Sequence, residues 1–172
     1  MTHQLSSTHG SCTLLTISDS RTEANDASGD LIEQKLLVSG HQLAGRFIVR
    51  DEVVDIRAAI SAVVIESPPN HFLITTGGSG IGYRDCTPEA FEGFEFTPLT
   101  GFGELFRMYS EREIGPRAML SRANSGILLH RKKRMPFFIL PGSTQAVTLA
   151  MDACILPTIG HILDLCHSKE QA

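Results

Sequence analysis

Three kinds of chemistry meet in the stretch "LITTGGSGIGYRDCTPEAF", residues 73 to 91. Gly77, Gly78 and Gly80 follow an apolar, β-forming run. Lacking side chains, they can turn tightly and let backbone N–H groups approach a phosphate directly. Ser79 adds a hydroxyl donor among them. Arg84 and Asp85 then set a cation beside a carboxylate, and Thr87-Pro88-Glu89 reads as a helix start, with Thr87 as its cap and Pro88 at the favoured first position. Neither G-x-x-x-x-G-K-[ST] nor G-x-G-x-x-G occurs, so the Walker loop and the dinucleotide fingerprint are both excluded. A strand followed by GGSG also serves as a plain tight turn, so the phosphate reading depends on what else reaches the same edge.

Other segments carry compatible groups. In "LPGST", a turn at Pro141-Gly142 feeds a helix beginning near Ser143. That places free N–H groups and a hydroxyl at a positive helix end, although N-capping by Ser143 or Thr144 accounts for the pattern equally well. Asp51 sits where a strand becomes a helix, and N-capping is its plainer role. Asp85 lies in a turn whose cap is already supplied by Thr87. Two carboxylates beside bound phosphates suit a magnesium ion, which shares hard oxygen ligands with its substrate; one of them could instead orient a reacting group. Cys86 has no charged partner in sequence beyond Arg84. His161 and His167 are six residues apart, off the helical metal spacing, and "HRKKR" reads as a charged hairpin turn.

The elements that must position these residues alternate. "CTLLTIS", "HQLAGRFIVR" and "HFLITT" read as strands, and "SGILLH" and "MPFFILPG" as a hairpin. Between them, "ASGDLIEQKLLVSG" is a helix with Ser28 at its cap and Gly40 as its stop. In "DEVVDIRAAISAVVIES", Val53, Ile56, Ile60, Val63 and Val64 share one helical face. "PEAFEGF" and residues 101 to 113 are further helices, the second with Phe102, Leu105, Phe106 and Tyr109 on its apolar side; the C-terminal stretch forms one or two helices broken at Pro157. This βαβ spacing predicts a three-layer α/β/α fold around a mostly parallel sheet. Ligands of such sheets bind beyond the carboxyl ends of the strands. "SDSR", "RDE", "TGGSGIGYRD" and "PGST" therefore converge on one edge.

Composition sets the limits. A chain of 172 residues, 42% hydrophobic and 20% charged, is expected to form one domain, residues 1 to 172, with residues 1 to 10 as a flexible N-terminal tail. A net charge of −4 argues against nucleic acid as the main partner. Four scattered cysteines and no apolar leader or membrane-length run predict a reduced, cytoplasmic protein that avoids membranes.

With these pieces in place, the chain resembles the molybdenum cofactor biosynthesis family that includes MoaB, MogA and the G domains of plant Cnx and animal gephyrin. The matching blocks are "LLTISDSR" with "DASGD", "ITTGGSGIGYRDCTPEA", "GFGELFR", "SRANSGI" and "LPGST", which run in order along nearly the whole chain. The segment "GFGELFRMYSEREIGPRAMLSRA" and the compact length resemble the MoaB branch more than MogA. The resemblance implies the molybdopterin-binding, MogA-like fold and an enzyme, a nucleotidyltransferase that adenylylates molybdopterin with Mg2+-ATP and releases pyrophosphate. The family's two important aspartates match Asp51 and Asp85. Its ligand-binding loops match Asp19 and Ser20, Thr76 to Gly80, and Pro141 to Ser143. Arg84, in a glycine loop without lysine, would share charge neutralisation with Mg2+ and backbone amides. Some MoaB-type proteins have lost R-D-x-T-P-E; this chain keeps it as "RDCTPE". The family also implies a homo-oligomer, a trimer for MogA-like or a hexamer for MoaB-like members, and other proteins of the pathway as partners. The alternative within the family is a non-catalytic molybdopterin carrier or scaffold, and the alternative outside it is a dehydrogenase-like nucleotide binder, against which the missing G-x-G-x-x-G counts.

Overall fold

A computed structural model of the chain describes residues 7–167. The elements follow as β1 (Ser11–Ile17), α1 (Ala27–Val38), β2 (Gln42–Val49), α2 (Val53–Glu66), β3 (His71–Thr76), α3 (Thr87–Ala90), β4 (Phe96–Pro98), α4 (Thr100–Ile114), β5 (Asn124–His130), β6 (Lys133–Leu140), α5 (Thr144–Leu149) and α6 (Ile159–His167). One six-stranded sheet runs in the order β2-β1-β3-β6-β5-β4. β2, β1, β3 and β6 are parallel, while β5 runs antiparallel to β6 and β4 antiparallel to β5.

Strand side chains alternate between two cores, as the pleat requires. Cys12 and Leu14 of β1, Phe72 and Ile74 of β3, and Phe138 and Leu140 of β6 meet Ile32, Leu36, Phe106, Val147 and Leu163 from α1, α4, α5 and α6. On the other face, Leu15, Ile17, Leu73, Phe137 and Ile139 meet Ile56, Ile60 and Val64 of α2 and Ala90 of α3. A sheet with helices on both faces is the three-layer α/β/α arrangement that the alternation predicts. Among the described residues no single helix is long and apolar enough to cross a membrane.

Local details correct several expectations. Asp26, not Ser28, caps α1, accepting from the Gly29 N–H; Ser28 lies inside the helix, buried. Cys86 occupies the cap position of α3 without a side-chain bond to the helix backbone, and Thr87 is its first residue. The helix expected over 88–94 ends at Ala90 because Phe91 turns into the core, stacked 4.4 Å from Phe137, and Gly93 at φ 93° redirects the chain. Glu52, not Asp51, stands at the cap of α2. On α4 the buried stripe centres on Phe102, Gly103, Phe106 and Ser110, which leaves Leu105 off its axis and 44% exposed. Of the expected N-terminal tail, residues 1–6 lie outside the described residues. Of residues 7–10, Ser7 and His9 are exposed, while the Thr8 hydroxyl donates to Asp164 at 2.5 Å and the buried Gly10 donates its N–H to His41 at 3.1 Å.

His71 ties the start of β3 to β1. It is 4% exposed, and its ring nitrogens lie 2.8 Å from Ser11 Oγ and 3.0 Å from Thr13 Oγ1. Burial, and then the charge of Lys133, push its pKa down to about 4. The unfolded chain takes up a proton near pH 6.5 that the folded chain refuses, so this contribution is intact above pH 6.5 and is lost as pH falls toward 4. At about 1.4 kcal/mol per unit, the loss reaches roughly 3 kcal/mol. Urea midpoints measured from pH 7 to 4 are expected to fall steeply in the wild type and much less in His71→Gln.

Candidate functional site

The four parallel strands end level: Ile17 pairs with Val49, Thr16 with Thr76, and Thr76 with Leu140. The chain leaves β1 and β6 toward helices on one face of the sheet, and leaves β2 and β3 toward helices on the other. Neighbouring loops therefore diverge to opposite faces at β2/β1, β1/β3 and β3/β6, the arrangement in which such sheets form ligand crevices. The four predicted segments line this edge.

Glycine is required in the central loop. Gly77 at φ 101° passes so close to β1 that a Cβ would lie 2.3 Å from the Ile17 carbonyl oxygen. Gly78 at φ 60° lies under two side chains, where a Cβ would fall 2.4 Å from Thr87 Oγ1 and 2.8 Å from Asp51 Oδ1. Thr87 closes the cradle by donating its hydroxyl to the Gly77 carbonyl at 2.8 Å and its N–H to the Gly78 carbonyl at 2.9 Å. Thr76 spends its hydroxyl on the Pro141 carbonyl at 3.0 Å, which joins the glycine loop to the PGST loop. There a Cβ on Gly142 would lie 3.3 Å from Gly77 Cα. Ser143 caps α5, accepting from the Ala146 N–H at 3.3 Å. The Ser79 hydroxyl is buried and has no hydrogen-bond partner among the described residues.

Carboxylates gather beside this cradle. Asp51 is half-buried, and its Oδ1 accepts the Cys86 thiol at 3.5 Å. Burial raises its pKa first, and the negative charges of Asp85 and Asp19 add to that; the Cys86 bond and Arg84 oppose them. The cysteine responds in turn: burial, its bond to Asp51 and nearby negative charge push its thiol up to about 11, so it stays protonated and inert at neutral pH. Asp85 accepts the Gly82 N–H at 2.7 Å and packs against Gly80, where a Cβ would fall 2.8 Å from its carboxylate. Asp19 accepts the Asp51 N–H at 3.2 Å and pairs with Arg84, which also lies 3.5 Å from Glu52. Ser20 is exposed on the same loop. Among the described residues no group of three or more His, Cys, Asp or Glu side chains forms a ready-made metal cage. A cation here would need oxygens from its substrate as well as from Asp51 or Asp85.

The scaffold under these loops rests on residues whose partners are remote in sequence. Asp26 is fully buried and accepts from Thr16 Oγ1 at 2.7 Å, from Arg21 at 3.0 Å and from Arg46 at 3.0 Å. Arg21 and Ser28 both donate to the Gly142 carbonyl, at 2.8 and 2.6 Å. Arg122 reaches the far end of the glycine loop, donating to the Gly80 and Asp85 carbonyls. Arg21, Asp26 and Arg122 all lie inside blocks that carry the family resemblance, "LLTISDSR", "DASGD" and "SRANSGI", yet nothing local marks them as site supports.

The profile of the family described as "Probable molybdopterin binding domain" matches residues 13–161, which include every one of these loops. The chain belongs to the MoaB/MogA family of molybdenum cofactor biosynthesis proteins. It is 43% identical over 152 residues to Molybdenum cofactor biosynthesis protein B of Bacillus cereus, covering 88% of this chain and 87% of that protein. A crystal structure of a Molybdenum cofactor biosynthesis protein B is similar at a TM-score of 0.84 and 41% identity, covering 93% of this chain and 97% of that one. The tungsten cofactor synthesizing protein MoaB from Pyrococcus furiosus follows at a TM-score of 0.81 and 30% identity, with 92% and 97% covered. The mixed sheet, parallel except at its hairpin edge, is the fold of this family. MoaB-named proteins at these identities also agree with the branch that residues 101–123 resemble.

Proposed function

We propose that the chain is a molybdopterin adenylyltransferase. A terminal phosphate oxygen of molybdopterin attacks the α-phosphorus of ATP; the new P–O bond forms as the bond to pyrophosphate breaks, giving adenylyl-molybdopterin and pyrophosphate. The observation that carries this reading is Asp51. It is a half-buried carboxylate that caps no helix, pressed toward its protonated form by burial, Asp85 and Asp19, beside a loop only glycine can follow. A group so perturbed in a crevice is a mark of a functional site rather than of structure alone.

In this reading the loops from Thr76 to Gly80 and from Pro141 to Ser143 present backbone donors to the substrates' phosphates, and Asp19 and Ser20 line the neighbouring crevice. Asp51 and Asp85 would hold Mg2+, which when bound supplies charge neutralisation between two polyanions. Arg84, 57% exposed and within reach of the Asp51 charge, turns toward substrate phosphate from its pairing with Asp19. The protein works as a cytoplasmic homo-oligomer, trimer or hexamer, in which the exposed Leu105, Met108, Met119 and Leu120 meet a neighbour.

The test is mass spectrometry of molybdopterin incubated with the purified protein, ATP and Mg2+. An AMP-sized addition to molybdopterin, with pyrophosphate released, is the expected result. Tight molybdopterin binding without that addition would replace the enzyme with a carrier, and absence of binding would remove molybdopterin as the ligand.

A further inference from the structure

Arg122 lies between a 3-10 segment, Gly115–Leu120, and the start of β5, outside every loop that forms the site edge. It nevertheless grips the segment from the far end of the glycine loop to Asp85 at both ends. Its backbone N–H donates to the Ser79 carbonyl at 2.9 Å, and its Nε donates to the Gly80 carbonyl at 2.7 Å. Its Nη2 donates to the Asp85 carbonyl at 3.0 Å, while Nη1 is paired with Glu89 at the head of the following helix. Only a planar fork with donors on three nitrogens can span carbonyls so arranged; a lysine ammonium offers one point. The arginine is itself held: Arg107 of α4 donates to the carbonyls on either side of it, Ser121 at 3.3 Å and Ala123 at 3.1 Å.

The consequence falls on Asp85. Its carboxylate direction is set by the Gly82 N–H at 2.7 Å, and its own N–H donates to the Gly82 carbonyl at 3.0 Å, so residues 82–85 form a closed turn. That turn has no regular secondary structure to anchor it, and Ile81 and Tyr83 on it are exposed. What fastens it to the sheet edge is Arg122 at residues 79, 80 and 85, with Thr87 behind and the exposed pairing of Arg84 with Asp19 in front. We infer that Arg122 is a positioning residue, clamping the 79–89 loop so that Asp85 faces the reacting phosphates; this rests on the adenylylation reading. Its charge is engaged by Glu89 and by carbonyls, so it acts through Asp85 and the loop amides and does not itself grip substrate.

The test pairs two measurements on intact Arg122→Met and Arg122→Lys proteins. In hydrogen exchange, amides of residues 78–86 are expected to exchange about tenfold faster in Arg122→Met, with β1 and β3 unchanged. In the adenylylation assay, kcat is expected to fall about 100-fold with the KM for ATP nearly constant, because the loop is misplaced by a fraction of an ångström rather than removed. Added methylguanidinium should restore part of that turnover, which a general loss of stability would not allow. Unchanged exchange in the loop overturns the clamp, as does a KM rise at constant kcat, which would make Arg122 a substrate ligand. If Arg122→Met does not fold, Arg122→Lys carries the same comparison. If the wild-type protein transfers no AMP, the functional reading fails on its own, and the exchange measurement still decides the clamp.

Discussion

The Asp51→Asn and Asp85→Asn proteins are expected to lose about 10²- to 10³-fold or more in adenylylation turnover, the scale on which preorganised charge and proton-transfer groups act in such sites. The two should differ in stability. Asp51 is charged against burial and against Asp85 and Asp19, so its ionised form destabilises the folded chain. The amide removes that repulsion and keeps the shape, and Asp51→Asn is therefore expected to melt at or above the wild-type temperature at pH 7. Asp85 holds the Gly82 N–H, and an amide oxygen can keep that bond, so Asp85→Asn should melt close to the wild type. Loss of turnover with stability preserved separates a functional role from a structural one. The pH profile carries a second sign. A carboxylate whose pKa is raised becomes ionised only above the ordinary aspartate range, so the acid limb of the wild-type kcat/KM profile, which reports the free protein before Mg2+ and substrate bind, should sit high. That limb should be missing from whatever residual activity Asp51→Asn retains. Steady-state rates beside circular-dichroism melts check both statements, and a turnover within tenfold of wild type would remove the carboxylate concerned from the mechanism.

The opposed behaviour of neighbouring side chains explains what could and could not be read from sequence. Strand β1 was legible because its alternation serves two cores, with Cys12 and Leu14 on one face and Leu15 and Ile17 on the other. The level ends of the parallel strands then followed from topology, and with them the convergence of the four loops. Capping was not legible in the same way. Ser28 and Thr87 have the chemistry of caps, but each spends its hydroxyl on a carbonyl far away in sequence, Gly142 and Gly77. A hydroxyl's local preference is worth about 1 kcal/mol, which a buried tertiary acceptor can match. Strand β4 is not legible in the sequence because three residues, Phe96–Pro98, carry no period. Pro157 predicts an interruption of the C-terminal helices; in the structure a π-helical segment, Ala150–Ile155, precedes that break, and the helical segments on either side of it meet at 54°. Arg21 and Arg122 were hidden for the most general reason: an arginine reads as surface until the fold shows what its donors touch.

Asp26→Ala is expected to cost about 3–5 kcal/mol of stability, the range for removing one partner from a buried ion pair. Three weaker effects could be set against this figure. Loss of the α1 cap alone would cost about 1 kcal/mol, an exposed salt bridge contributes 1 kcal/mol or less, and a deleted aspartate also removes its own desolvation cost. The geometry decides among them. Asp26 is fully buried, and burial alone would raise its pKa, yet the bonds from Thr16, Arg46, Gly29 and Arg21 outweigh it and hold the carboxyl below the ordinary range. Truncation strands the Thr16 hydroxyl and the Gly29 N–H and takes the buried partner from two guanidinium groups whose side chains are only 30% and 18% exposed, leaving Arg46 with Asp30 and Glu33 and Arg21 with Ser28 and the Gly142 carbonyl. At roughly 2–4 °C per kcal/mol for a chain of this size, the melting temperature should fall by about 10 °C or more. Asp26→Asn, which keeps a competent cap and loses only the charge, should fall less. The sign with pH follows from the depressed pKa: the carboxylate's contribution is complete above the ordinary aspartate pKa and fades as pH drops through the folded value, so wild-type and Asp26→Asn melting curves should converge in acid. The damage should also reach the site, since Arg21, released from Asp26, is one of two donors that fix the Gly142 carbonyl beside the glycine loop. A melt of Asp26→Ala within 2–3 °C of wild type, about 1 kcal/mol on the same scale, would mean that the arginines find water as readily as they find the carboxylate, and that Asp26 is no more than a helix cap.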